Sequence, residues 1–174
     1  MAALANQRRD FERAAQIVSD AGGRVVGRTK LQKIAYLLEA TGLGEGFAFE
    51  YRHYGPYSEE LTIAARSARL LGLLTEEECP TTWGGFYSIY TVQAPPGGEA
   101  SRIQLAQIAV DADPIELELA ATAAFLAAEA NTDPWGETTR RKPEKATTAR
   151  LESAKSLYRQ LLGVATPKRL PAIV

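Results

Sequence analysis

Apolar residues recur at i, i+3, i+4 and i+7 in five segments of this chain of 174 residues, the spacing that lines one face of an α-helix. The first carries Phe11, Ala14, Ala15 and Val18 and stops at Gly22-Gly23. The second carries Leu31, Ile34, Ala35 and Leu38, with Thr29 and Gln32 spaced as a capping box before it and Gly42 as its stop. The third carries Leu61, Ala64, Ala65 and Ala68. Ser58 is placed to cap it, Glu59 and Glu60 suit its first-turn dipole, and Gly72 ends it. The fourth opens on Asp113-Pro114, a cap followed by a first-turn proline, and runs through Leu119, Ala123 and Leu126. The fifth carries Leu151, Ala154, Tyr158 and Leu161. Asp133-Pro134-Trp135 starts a shorter helical turn between the last two.

Strand signals sit in the middle. Phe47 to Tyr51 (FAFEY) alternates aromatic with small or charged residues, and Phe86 to Val92 (FYSIYTV) is β-branched and aromatic. Leu74 to Glu77 is placed to pair with the latter across Thr-Thr-Trp-Gly-Gly. Gln93 to Glu99, rich in Pro and Gly, reads as a surface loop. The expected class is mainly α (α+β): a helical domain with a small antiparallel β-hairpin or sheet, winged-helix-like in the middle. We expect one domain over 1–174, with a core at 28–92 and C-terminal helices at 113–163.

Composition is ordinarily globular, and a net charge of −1 gives no global attraction to polyanions. The distribution is uneven. Residues 134–174 hold nine Lys or Arg against three Asp or Glu, while residues 1–133 hold eleven against eighteen. A basic C-terminal segment on an acidic body suggests internal docking, or a partner of matching charge. Cys79 is the lone cysteine, so no internal disulfide forms and a reducing compartment is the simplest setting. No apolar run approaches the roughly 20 residues that span a bilayer, and Arg8, Arg9 and Asp10 interrupt any apolar leader core. The expected location is the cytoplasm, with no membrane contact.

The densest chemistry lies in Glu50 to Leu61 (EYRHYGPYSEEL). Tyr51, Tyr54 and Tyr57 share it with the sole histidine, His53, and with Gly55-Pro56. Catalysis finds little here. A nucleophile needs a base and a group to orient it, and His53 and Cys79 are single copies. Metal binding lacks ligands for the same reason, so no cofactor is expected. Glu76-Glu77-Glu78 reads as a surface run. Gly42 to Gly46 (GLGEG) follows a helix and precedes a strand, the wrong context for a dinucleotide cradle. In a winged helix the third helix reads DNA, but here it would open on Ser58, Glu59 and Glu60, and the wing at 81–87 has no Lys or Arg. Direct nucleic-acid binding is therefore disfavoured. The aromatic stretch reads either as a corner locking the second and third helices or as a tyrosine anchor for a partner. Gly55 is expected at positive φ, in a rigid turn into the third helix.

Arg28 to Glu39 (RTKLQKIAYLLE), followed by F-x-F-x-Y-R-H-Y-G-P-Y-S-E-E-L from Phe47 to Leu61, resembles the Panacea domain of SocA-like antitoxins. The likeness is specific over 28–73 and vaguer over the hairpin and Leu117 to Leu126. It implies a non-enzymatic helical domain that binds and neutralises a cognate toxin protein in a toxin–antitoxin system. It further implies, in at least one member, delivery of the toxin to a AAA+ protease as an adaptor. The signature falls on Lys30, Leu31, Gln32, Lys33, Tyr36, Tyr54, Gly55, Pro56 and Tyr57. A winged-helix-like DNA-binding regulator is the alternative.

Overall fold

The computed structural model describes residues 2–174, with side chains from Arg9 onward. The side chain of Arg8, part of the reading against a leader segment, lies outside the described residues. The described elements run α1 (Ala2–Asp20), β1 (Arg24–Val26), α2 (Arg28–Ala40), β2 (Glu50–Arg52), β3 (Gly55–Tyr57), α3 (Glu59–Leu70), β4 (Thr75–Pro80), β5 (Phe86–Thr91), α4 (Ala100–Asp111), α5 (Pro114–Ala128), α6 (Pro134–Arg141) and α7 (Thr148–Leu162). Helix far outweighs strand, and FYSIYTV does lie in a small antiparallel sheet of order β1-β5-β4. The sequence α1-β1-α2-α3-β4-β5 with that strand order is the winged-helix arrangement, with a two-stranded ribbon inserted before α3.

Most helix ends follow the local rules. Ser58 accepts from the Leu61 N–H, and Asp113 accepts from Ile115 and Glu116 ahead of Pro114. Gly42 and Gly72, at φ 76° and 73°, sit one residue past the caps of α2 and α3. The next N–H groups, of Leu43 and Leu73, close back onto Leu38 and Ala68. The capping box at Thr29 and Gln32 does not form. Helix α2 begins two residues earlier, after Gly27, whose N–H bonds Ser88 O at 2.7 Å in β5. Gln32 is thereby freed for another task.

Besides the ribbon strand at Gly55–Tyr57, two elements are absent from the sequence reading. Strand β1 has only three residues, too few for a period. Helix α4 turns Arg102, Leu105, Ala106 and Ala109 inward, a regular i, i+3, i+4, i+7 face whose first member is an arginine. That arginine pairs with buried Asp20 at the end of α1 and donates to Leu43 O at 2.7 Å. Its partners arrive from distant parts of the chain, so the inward charge had no visible reason in the sequence. Asp20 also accepts from the N–H groups of Gly97 and Gly98, fixing the loop before α4.

Helix α5 is the hub. Every residue from Leu117 to Ala124 is buried, as expected of a helix surrounded on all sides. It packs on α2, α6, α7 and β3. Four alanines among those buried residues allow close approach of the neighbouring backbones. One apolar cluster runs from Ala14 to Leu170 and joins the winged-helix half to the C-terminal helices. No helix among the described residues is long and apolar enough to cross a membrane.

The ribbon corrects the reading of the aromatic stretch. The strand at FAFEY begins only at Glu50; Phe47 is buried and Phe49 packs against the core as irregular chain. Gly55-Pro56-Tyr57 is itself a strand, pairing Tyr51 with Pro56 and Arg52 with Gly55, so the tight turn falls on His53-Tyr54. Gly55 has φ 88°, as expected of it.

Candidate interaction surface

Three side chains of the first turns of α2 hold backbone rather than facing solvent. The Lys30 ammonium donates to Val110 O at 2.8 Å and Ala112 O at 2.7 Å, tying down the end of α4. Gln32 accepts from Ser58 N–H at 2.8 Å and donates to Ser58 O at 2.9 Å and to Thr62 Oγ1 at 3.0 Å. Lys33, only 2% exposed, donates to Pro56 O at 2.7 Å. Leu31 between them is core. Gln32 and Lys33 of the K-L-Q-K run therefore position the start of α3 and the ribbon, chiefly through main-chain contacts, while Lys30 fixes the end of α4.

Behind the ribbon lies a charge cluster. Glu118 of α5 is buried and accepts from Lys142 at 2.7 Å and from Lys145 at 2.9 Å. Lys142 also donates to His53 O at 3.1 Å. Burial drives the Lys33 pKa down to about 7; Glu118 opposes this, and Lys142 and Lys145 add to it. Of the C-terminal basic segment, Lys142 and Lys145 thus turn inward onto Glu118, while Arg150, Arg159, Lys168 and Arg169 are exposed. Arg140 and Arg141 pair locally, both bonding Glu137. Thr122 Oγ1, beside Gly55, is buried with no hydrogen-bond partner.

The aromatic residues divide into packing and surface groups. Tyr36 is buried, its ring edge-on to Phe49 at 5.5 Å and tilted against Phe125 at 5.8 Å. Tyr51 is half-buried between Phe125 and the Arg141 guanidinium, which lies 4.5 Å from its ring centroid. His53 is exposed and meets Tyr54 edge-on. Tyr54, half exposed, carries the Lys145 ammonium over its ring. Tyr57 is half-buried under Arg52, and its hydroxyl accepts from Thr62 Oγ1. Tyr36, Tyr51, Gly55 and Pro56 therefore belong to packing, while Tyr54, Tyr57 and His53 reach solvent.

Tyr54 and Tyr57 line a groove of about 570 Å³ between the ribbon, α2, α3 and the β4–β5 hairpin. Phe86 and Tyr90 form its far wall, Arg28, Arg66 and Glu76 its polar margin, and Gln32 and Lys33 lie at its base. The hairpin beyond is aromatic at its tip: Trp83 is 84% exposed and Phe86 72%. The outward stripe of α3 adds Ile63 and Leu70, both exposed. Such side chains on the surface cost solubility and mark contact surfaces.

Glu76 departs from the surface reading given to the acidic run. Its side chain is 7% exposed, bonded by Arg28 at 3.0 Å and by Ser88 at 2.6 Å. Burial works against its charge, but the bonds from Ser88 and Arg28 outweigh it and lower its pKa. Glu77 and Glu78 are exposed. Phe86, Tyr90, Trp83 and Arg66 were not singled out as site residues. The hairpin's aromatic run signalled a strand, and only the fold brings it beside the tyrosines.

No protein-family model matches the chain, and no solved structure matches it. It is similar to the uncharacterized protein YwgA of Bacillus subtilis (strain 168), with 38% identity over 61 residues. That segment is 35% of this chain and 36% of that protein, so the chain covers about a third of the relative's length.

Proposed function

We propose that this chain is a non-enzymatic protein-interaction domain of the Panacea, SocA-like type, an antitoxin that binds and neutralises a cognate toxin protein in the cytoplasm. The observation that carries the reading is the cation-free hairpin tip, where Trp83 and Phe86 project into solvent beside the tyrosine groove. Exposed aromatic side chains next to a concavity are the usual anchors of protein contacts. The paired K-L-Q-K and Y-G-P-Y-S signatures support the family assignment. The structure accounts for their spacing, since the first run grips the backbone of the second. On the family likeness, handing the toxin to a AAA+ protease is a further role to test.

The winged-helix element order favours a second reading, DNA binding. Electrostatics weigh against it. Helix α3 presents Glu59 and Glu60 at its exposed first turn, where a reading helix meets phosphates.

The test is co-expression in a bacterial host with the product of the gene encoded beside this one. The chain should restore growth, and the double variant Trp83→Ala/Phe86→Ala should lose that protection while melting at an unchanged temperature. A folded double variant that protects fully would reject the hairpin tip as the contact. Tight duplex binding at physiological salt, with no neutralisation, would favour the second reading.

A further inference from the structure

The groove beside the hairpin tip has four charged residues in its lining: Arg28, Lys33, Arg66 and Glu76. Three are already committed. Lys33 holds Pro56 O; Arg28 binds Glu76 and Glu78; and Glu76 takes Arg28, Ser88 and Arg69. Arg66 is exposed and makes no ion pair or side-chain hydrogen bond among the described residues. The uncommitted charge of the groove is therefore a single guanidinium, set among Tyr54, Tyr57 and Phe86.

We propose that the groove takes an acidic segment of a partner protein, one carboxylate pairing with Arg66 and an adjacent large apolar side chain lying between Tyr57 and Phe86. This deepens the protein-binding reading and rests on it. A guanidinium offers a planar fork that a carboxylate matches with two hydrogen bonds. Partial enclosure by aromatic walls strengthens such a pair relative to open water. The flanks choose between a carboxylate and a phosphate chain. Glu59 and Glu60 stand on the α3 side and Glu77 and Glu78 on the hairpin side, all exposed. A single carboxylate meets Arg66 between them, whereas a nucleic-acid backbone brings successive phosphates against those acids.

The experiment selects random displayed peptides on the full chain and then measures the enriched sequence as a synthetic peptide. The expected consensus places Asp or Glu within a few residues of Trp, Phe or Leu. Arg66→Glu should weaken that peptide about tenfold or more, and Arg66→Lys by less. A peptide with Lys replacing its acid should prefer Arg66→Glu over the wild type. Because Arg66 is exposed and unpaired, these variants should fold, which thermal melting checks. The proposal is overturned by no enrichment above background, by a basic or neutral consensus, or by an affinity indifferent to Arg66→Glu. It is overturned also if oligo-dT or duplex DNA displaces the peptide, which would assign the groove to nucleic acid. Failure here is separable from failure of the antitoxin reading. Neutralisation that needs Trp83 and Phe86 but tolerates Arg66→Glu leaves protein binding intact and removes only the acidic-segment chemistry.

Discussion

Gln32 and Ser58 hold each other twice: the Ser58 N–H donates to Gln32 Oε1 at 2.8 Å, and Gln32 Nε2 donates to Ser58 O at 2.9 Å. The pair joins the first turn of α2 to the N-cap of α3, 26 residues on. Both bonds are buried, so removing the amide strands the Ser58 N–H, while Ser58 O keeps the Thr62 N–H at 3.2 Å. Gln32→Ala should cost about 1–3 kcal/mol, the penalty of one stranded buried N–H. Gln32→Glu keeps the acceptor and loses both donated bonds, so it should not rescue. Urea denaturation of the three proteins checks this; a Gln32→Ala variant as stable as wild type would show that water replaces the amide at no cost.

Gly55 and Thr122 form the second tight relationship. A Cβ built on Gly55, at φ 88°, would lie 2.5 Å from Thr122 Oγ1. Gly55→Ala therefore meets backbone strain of about 1–3 kcal/mol together with a steric clash. Thr122→Ala in the same chain should remove only the clash, giving double-mutant destabilisation smaller than the sum. Additive melting shifts would show that the ribbon moves away from α5 to make room.

Thr122 itself gives a prediction of opposite sign. Its hydroxyl is buried and unbonded, so Thr122→Val exchanges it for a methyl of similar volume with no hydrogen bond lost. Stability should rise by about 1 kcal/mol. A fall would mean that the hydroxyl is satisfied in solution.

These contacts show where sequence reasoning reached and where it stopped. The faces of α1, α2, α3, α5 and α7 were legible because each repeats apolar residues at helical spacing. The caps at Ser58 and Asp113 were legible because they act within one turn. Gln32 misled because a capping box and a long-range clamp use the same residue type, and only the tertiary fold shows which bond forms. Arg102 and Asp20, 82 residues apart, hid α4 because a charge at an inward position looks like an outward one until its partner is placed. Glu76 was hidden likewise, inside a run of three acids of which it alone is drawn in. The groove was illegible altogether. Its walls come from the ribbon, α3 and β5, and no local pattern announces that Tyr57 and Phe86 line one concavity.

The Asp20–Arg102 pair sets the expected acid sensitivity. Burial disfavours the Asp20 charge, but the bonds from Arg102, Gly98 and Gln16 outweigh it and lower its pKa. A carboxylate depressed in the folded state contributes stability above its unfolded pKa of about 4, lost as pH falls through the folded value. Wild type should therefore lose stability below about pH 4 more steeply than Asp20→Asn. Arg102→Met, which leaves the carboxylate buried and unpaired, should cost about 3–5 kcal/mol at neutral pH. Parallel acid titrations of wild type and Asp20→Asn would remove the pair from this role.

Lys33 should give the opposite pH response. Its folded pKa is near 7, below the ordinary lysine value of about 10.4, chiefly because burial disfavours the ammonium. Between those values the unfolded chain holds more protons at this site than the folded one. Stability from this residue is then lowest below pH 7 and rises with pH from about 7 to about 10, by at most about 1.4 kcal/mol per pH unit. Lys33→Met removes the titration and also strands Pro56 O, so absolute stability alone is ambiguous. The slope is not ambiguous. Denaturation midpoints of wild type and Lys33→Met should converge or diverge steadily across this window, with wild type gaining relative to the variant as pH rises. Glu118, Lys142 and Lys145 remain in both proteins, so their contributions largely cancel in the difference. A constant difference from pH 7 to 10 would mean that Lys33 keeps an ordinary pKa, with the ribbon admitting enough water to solvate its ammonium against Pro56.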